Sequence, residues 1–213
     1  AKAQLSILEA CRKNNPGVRI VFASTRQIYG KPSYLPVDEK HPLHPVDING
    51  INKIAGEQYH ILYHEVYGIA SSVLRLTNTY GPRMRIKDAR QTFLGIWIRN
   101  LLQGIPIQVF GDGKQRRDYN FVDDAIDALL LAATSDETTG KAYNLGSPSP
   151  LSLEETASMM CDQVKGSSYE LIPFPEDRKA IDVGDFVCDY SSFSKALEWE
   201  PKTSFEEGIS RSL

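Results

Sequence analysis

The hydrophobic pattern opens with a helical period. Leu5, Leu8 and Cys11 recur every third position within Ala1–Asn14, which gives a helix one apolar face. Pro16-Gly17 ends it, and Val18-Arg-Ile-Val-Phe-Ala23 follows as a nearly continuous apolar run. Runs of this kind form strands buried on both faces, as in parallel sheets covered by helices. Between Asp47 and Gly68 the helical spacing returns, in Ile54, Tyr59, Leu62 and Val66, and Ser71–Thr77 is a second strand. Strand, helix, strand in that order predicts a doubly wound α/β sheet.

From Gly81 the texture changes. The pattern predicts an amphipathic helix over Thr92–Gln103, a short strand over Ile105–Phe110, and the turn Gly111-Asp112-Gly113. An extended piece over Arg117–Val122 leads into a helix over Asp123–Thr134, whose acidic start suits the positive end of the helix dipole. A strand over Ala142–Gly146 precedes a helix over Ser152–Lys165, with Ser152 and Glu155 in capping-box spacing. Short segments separated by Pro173, Pro175 and Pro201 complete the chain, with no internal repeat or linker.

Composition narrows the classes. The 213 residues are 41% hydrophobic and 24% charged, within the range of globular proteins. A net charge of -3 argues against a nucleic-acid binder, which needs a basic face. No run is long and apolar enough for a membrane span, and no signal peptide is visible. Cys11, Cys161 and Cys188 are odd in number and far apart, so they read as free thiols of a cytoplasmic protein. None stands in metal-ligand spacing. His60 and His64 lie four apart on one helix, either as a metal pair or as two ordinary histidines, and no metal is expected.

The chemistry sits in a few blocks. Val21-Phe-Ala-Ser24-Thr25-Arg-Gln-Ile-Tyr29-Gly30 is followed by Asn49-Gly-Ile-Asn-Lys53, then by Leu74-Arg-Leu-Thr77-Asn78-Thr-Tyr-Gly81-Pro-Arg83. Later come Val109-Phe110-Gly-Asp-Gly113 with Gln115, Arg117-Asp118-Tyr119, and Val122-Asp-Asp124, and near the end Glu198-Trp199 with Pro201. Together, in this order, they resemble the extended short-chain dehydrogenase/reductases, in particular the NAD-dependent nucleotide-sugar epimerase/dehydratase family. The resemblance implies NAD as cofactor, a nucleotide-diphosphate sugar as substrate, and a partial Rossmann-type parallel sheet with a smaller α+β lobe. Residues 1–80 would be the C-terminal part of the NAD-binding domain. Residues 81–213 would be mainly the substrate lobe, with segments returning to the core. No Gly-x-Gly-x-x-Gly opens the chain, so the family's leading strands and phosphate loop have no counterpart here, and a part of a longer protein is expected.

Residue by residue, the resemblance makes Thr25 the partner of the sugar hydroxyl and Lys53 the lysine that holds the nicotinamide ribose. Ala23, Ser24 and Thr77 would line the nicotinamide. Asn78 would contact substrate, Arg117 its diphosphate, and Phe110 its base, with core packing the other reading of Phe110. Arg178 resembles a second diphosphate arginine, with Lys179 as rival. Asn49 is the departure, because the family's Tyr-x-x-x-Lys motif carries its acid/base phenol there. A carboxamide neither gains nor loses a proton near neutral pH, and losing a general base costs a factor of ~10² to 10⁴. Tyr29, His44 and Tyr59 are the candidate replacements. The reading therefore stays open between an epimerase-type enzyme and a catalytically impaired relative that binds the same ligands. Arg26-Gln27 stands where the family's 4,6-dehydratases carry Asp-Glu, which argues against dehydration. Arg83, Arg85, Lys87 and Arg90 form a basic loop, either solvated or a clamp around negative charge on the substrate. Helices over residues 1–14 and 52–67 correspond to the family's dimer interface, so a homodimer is expected.

Overall fold

The computed structural model describes residues 1–87, 92–179 and 182–213. The chain runs α1 (Lys2–Asn14), β1 (Arg19–Thr25), α2 (Ile48–Tyr67), β2 (Ala70–Leu76) and β3 (Asn78–Tyr80). It continues through α3 (Phe93–Leu102), β4 (Ile107–Phe110), β5 (Arg116–Arg117), β6 (Tyr119–Phe121), α4 (Val122–Thr134) and β7 (Ala142–Leu145). Then follow β8 (Leu151–Ser152), α5 (Leu153–Asp162), β9 (Tyr169–Ile172), α6 (Glu176–Lys179), α7 (Ser191–Leu197) and α8 (Phe205–Ser212).

Strands β1, β2 and β7 form a parallel sheet in that order, with Thr25 opposite Leu76 and Leu76 opposite Leu145. The alternation of side chains along a strand assigns the two faces. Phe22 and Ser24 of β1, with Ser71 and Arg75 of β2, meet α2. Val21 and Leu74 point the other way, into a cluster with Ala128 and Ala132 of α4. Helices therefore cover both faces, and the fold is the doubly wound parallel α/β type. Helix α1 packs outside α2. The approach of α2 to β1 is close at Gly56, where a Cβ would lie 2.5 Å from the Phe22 ring, so only glycine lets helix and strand meet.

The rest of the chain builds a second cluster. The parallel pair β4–β9 and helices α3 and α5 enclose Leu94, Trp97, Ile107, Val109 and Met160, and Tyr80, Tyr119 and Phe121 join from β3 and β6. Several boundaries differ from the pattern, most by one or two residues. The extended piece at Arg117–Val122 is split at Asp118, and Val122 already belongs to α4. Helix α5 ends at Asp162, three residues before Lys165, although its Ser152–Glu155 capping box forms as expected.

Candidate active site

The C-terminal end of β1 and the first turn of α2 face each other. Thr25 ends the strand and caps a single 3-10 turn, Arg26–Ile28, its Oγ1 accepting from Gln27 N at 3.3 Å. Asp47 caps α2, its Oδ1 accepting from Gly50 N at 2.7 Å. A Cβ at residue 50 would stand 2.7 Å from the Gln27 carbonyl oxygen, so glycine lets the turn and the helix start touch.

Between them runs a chain of hydrogen bonds with a fixed direction. Gln27 Nε2 donates to Asp47 Oδ2 at 2.8 Å, and Asn49 Nδ2 donates to Gln27 Oε1 at 2.5 Å. Thr25 Oγ1 reaches the same Gln27 oxygen at 3.4 Å. An ionised carboxylate only accepts, so Asp47 makes Gln27 turn its NH₂ inward and its oxygen toward Asn49. Asn49 must then answer with its own NH₂, which leaves its Oδ1 facing out. The position that carries a phenol in the resembling family thus presents an acceptor with no proton of its own.

Lys53, one turn beyond Asn49, donates from Nζ to Ala23 O at 2.5 Å and lies 4.9 Å from the Phe22 ring centroid. Burial lowers its pKa, and the nearby Glu57 carboxylate partly opposes that. A further turn in, Glu57 is fully buried. It accepts the Ser24 hydroxyl and pairs with Arg75, whose Nη2 lies 2.8 Å from Glu57 Oε2. Arg75 Nη1 also donates to Tyr29 OH at 2.8 Å, and that phenol donates to Asn144 Oδ1 at 2.7 Å. Ser24 is therefore committed through its side chain to the helix, and only its main chain can line a cofactor.

The ends of β2 and β6 adjoin this region. Thr77 Oγ1 donates to Asn120 Oδ1 at 2.6 Å, and Asn78 Nδ2 donates to the Asp118 carbonyl at 2.8 Å. Arg117 is 7% exposed, and its guanidinium is largely engaged by this chain: Nη1 donates to the carbonyls of Arg116 and Gly184, and Nη2 donates to Gln115 Oε1. Burial lowers its pKa. The neighbouring Asp118 is fully buried. Its Oδ2 accepts Cys188 N, and its Oδ1 has no hydrogen-bond partner among the described residues. Burial pushes this carboxyl up to about 7.

The structure thus brings Thr25, Asn49, Lys53, Ala23 and Ser24 together, with Thr77, Asn78 and Arg117 on the adjoining strand ends. Other expected residues lie on other segments. Phe110 packs edge-on against Phe174 at the end of β4, ring centroids 5.6 Å apart. Arg83 is exposed with a left-handed φ of 65°. Arg178 lies on α6, with Lys179 paired to Glu176. Arg90 lies outside the described residues. Of the candidate replacement bases, Tyr29 is fully buried, and burial raises its pKa further, so its phenol is unsuited to taking a proton. Tyr59 packs against the Leu8–Tyr63–Ile69 cluster, and His44 is exposed. His60 and His64 are used separately: His60 shares hydrogen bonds with Ser71 and Gln4, and His64 with the Ile69 carbonyl. Burial pushes His60 down to about 4. Among the described residues no cluster could hold a metal ion, and no helix is long and apolar enough to cross a membrane.

Sequence reasoning missed Gln27 as an organiser of the site, and it missed Asp47 and Asp118 altogether. Asp47 had a signal: an Asp directly before a helical pattern is an N-cap, and its second oxygen remains free for another donor.

This architecture and constellation have known counterparts. The chain belongs to the NAD dependent epimerase/dehydratase family, whose profile matches residues 1–146. A Methanocaldococcus jannaschii protein, provisionally named UDP-glucose 4-epimerase, is 33% identical over 210 residues, covering 97% of this chain and 65% of its own. The UDP-glucose 4-epimerase of Thermotoga maritima, solved with UDP-glucose, superposes with a TM-score of 0.88 at 30% identity, over 98% of this chain and 66% of that one. The UDP-glucuronic acid 4-epimerase of Bacillus cereus, solved with UDP-glucuronic acid and NAD, gives 0.84 at 26% identity, over 99% and 65%. The chain spans about two thirds of the length of these relatives.

Proposed function

We propose that the whole protein is an NAD-dependent epimerase of nucleotide-diphosphate sugars. The observation that carries this reading is the convergence of Thr25, Asn49 and Lys53 at the end of β1, organised by Gln27 and the Ala23 carbonyl, in a chain of this family. NAD bound here would supply the hydride acceptor and donor for the sugar carbon, and Ala23, the Ser24 main chain, Lys53 and Thr77 would line its nicotinamide end.

The chain's own residues handle the oxygen. Thr25 Oγ1 and Asn49 Oδ1 hold the reacting sugar hydroxyl from two sides. The Lys53 ammonium, kept in a half-buried setting, favours the negative charge that develops on that oxygen. Asn49 orients the hydroxyl but does not carry its proton, which passes to water at this exposed edge of the site. Asn78 and Arg117 serve the nucleotide end, with Arg178, and the basic loop of Arg83 and Arg90 clamps added negative charge on the substrate. No carboxyl follows Thr25, which supports epimerisation over dehydration.

Residues 1–80 form the cofactor-domain part and 81–213 mainly the substrate lobe, in a cytoplasmic homodimer. The exposed Leu5, Ile7, Leu62 and Val66 on α1 and α2 support that interface, and a monomer by light scattering at micromolar concentration would contradict it. The activity test is turnover of UDP-sugars by full-length protein with NAD. Asn49→Tyr, which sets a phenol beside Lys53, is expected to raise turnover at least about tenfold. No turnover by either protein ends the epimerase reading and leaves a binding role.

A further inference from the structure

Arg26 is the residue that the site leaves unused. It follows Thr25 directly and stands where 4,6-dehydratases carry an acid, so its side chain starts at the reacting end of the site. Its guanidinium lies over the Phe186 ring, Cζ 5.1 Å from the centroid, and among the described residues it makes no hydrogen bond. The contrast with Arg117 is sharp, since three of that guanidinium's roughly five donors are already engaged. Both arginines meet the same 182–188 segment: Arg117 holds the Gly184 carbonyl, and Arg26 covers Phe186.

Arg26 is half-exposed, yet deep enough that burial, and then the nearby Arg117 charge, push its pKa down to about 10. It stays protonated at neutral pH. Among the described residues its donor fork is unmatched, and an anion with two oxygens matches that fork in one step. Asp118 and Asp47 are near enough to favour its charge, but neither pairs with it.

We propose that Arg26 is a specificity-determining residue that takes a carboxylate on the sugar itself, so that the substrate is a nucleotide-linked hexuronate. This rests on the nucleotide-sugar reading above. The diphosphate is the other anion such a ligand brings, but Arg117 stands on the strand end assigned to it, whereas Arg26 is tied by sequence to Thr25 and the reacting hydroxyl.

The test is calorimetric titration of the full-length, NAD-loaded protein with UDP, UDP-glucose and UDP-glucuronate, comparing wild type with Arg26→Gln and Arg26→Lys. Wild type is expected to bind UDP-glucuronate more tightly than UDP-glucose. Arg26→Gln is expected to weaken UDP-glucuronate about 10- to 100-fold and to leave the other two within about threefold. Arg26→Lys, with a point charge but no fork, is expected to recover only part of the loss. Equal weakening of all three ligands would assign Arg26 to the diphosphate and overturn the proposal, as would unchanged UDP-glucuronate affinity. Failure of folded wild type to bind any of the three overturns the nucleotide-sugar reading itself, and this inference with it.

Discussion

Changing Asp47 to Asn should reverse the polarity of the site without unfolding it. Asp47 makes two hydrogen bonds, one capping α2 at Gly50 N and one holding Gln27 Nε2. Asn is as good an N-cap as Asp, so its oxygen keeps the Gly50 bond and its NH₂ must turn toward Gln27. Gln27 then offers its oxygen to residue 47 and its NH₂ to Asn49. Asn49 in turn rotates its NH₂ outward, so an acceptor facing the substrate hydroxyl becomes a donor. Asp47→Ala instead loses the cap, about 1 kcal/mol, and the Gln27 bond, about 1 kcal/mol more. For a chain of this size each kcal/mol moves Tm by about 2–4 °C, so Asp47→Ala should lower it by about 4–8 °C and Asp47→Asn by less than about 2 °C. The expected kinetic result for Asp47→Asn is a kcat/KM about tenfold lower, one mismatched hydrogen bond's worth. Scanning calorimetry with initial-rate kinetics decides. If Asp47→Asn melts as early as Asp47→Ala, or keeps kcat/KM within twofold of wild type, the directional chain is wrong.

Two further outcomes follow from buried charge. The Asp118 carboxyl, raised to about 7, binds a proton in the folded protein that the unfolded chain has already released. Its contribution is full below pH ~4 and is lost as pH rises toward ~7. Asp118→Asn should remove up to roughly 3 kcal/mol of that decline between pH 4.5 and 7, read from urea melts, whereas a wild-type-minus-variant difference flat across the window would refute this. Glu57→Gln breaks a buried pair and leaves Arg75 uncompensated, which costs about 3–5 kcal/mol, or a Tm loss of about 6–20 °C. A loss under about 2 °C would mean that the pair does not hold α2 to the sheet.

Much of the fold was legible in the pattern because its signals are local. The run at residues 18–23 and the helical spacing after Asp47 each name an element, and β1, α2 and β2 lie within two residues of where the pattern puts them. Thr25, Asn49 and Lys53 were singled out by the family resemblance of their blocks, and the structure sets them at the end of β1 and along the first turns of α2. What was hidden depends on distance along the chain. Gln27 meets Asp47 across 20 residues, and only the 3-10 turn aims it there. Nothing near Arg117 in sequence shows that its guanidinium also meets the Gly184 carbonyl, 67 residues further on. Tyr29 looked like a spare phenol beside Thr25, but the turn carries it inward to Arg75.

Helix α2 holds Asn49, Lys53 and Glu57 on one stripe, four residues apart, and their depth increases along it: exposed, half-buried, fully buried. The position of the resembling family's phenol is therefore at the shallow end, and Glu57, paired with Arg75, is at the deep end. A change at position 49 touches a few solvent-facing hydrogen bonds and leaves the ion pair two turns below untouched. The hydrogen bonds at position 49 can thus change at almost no cost in stability, and an Asn there is compatible with an intact scaffold.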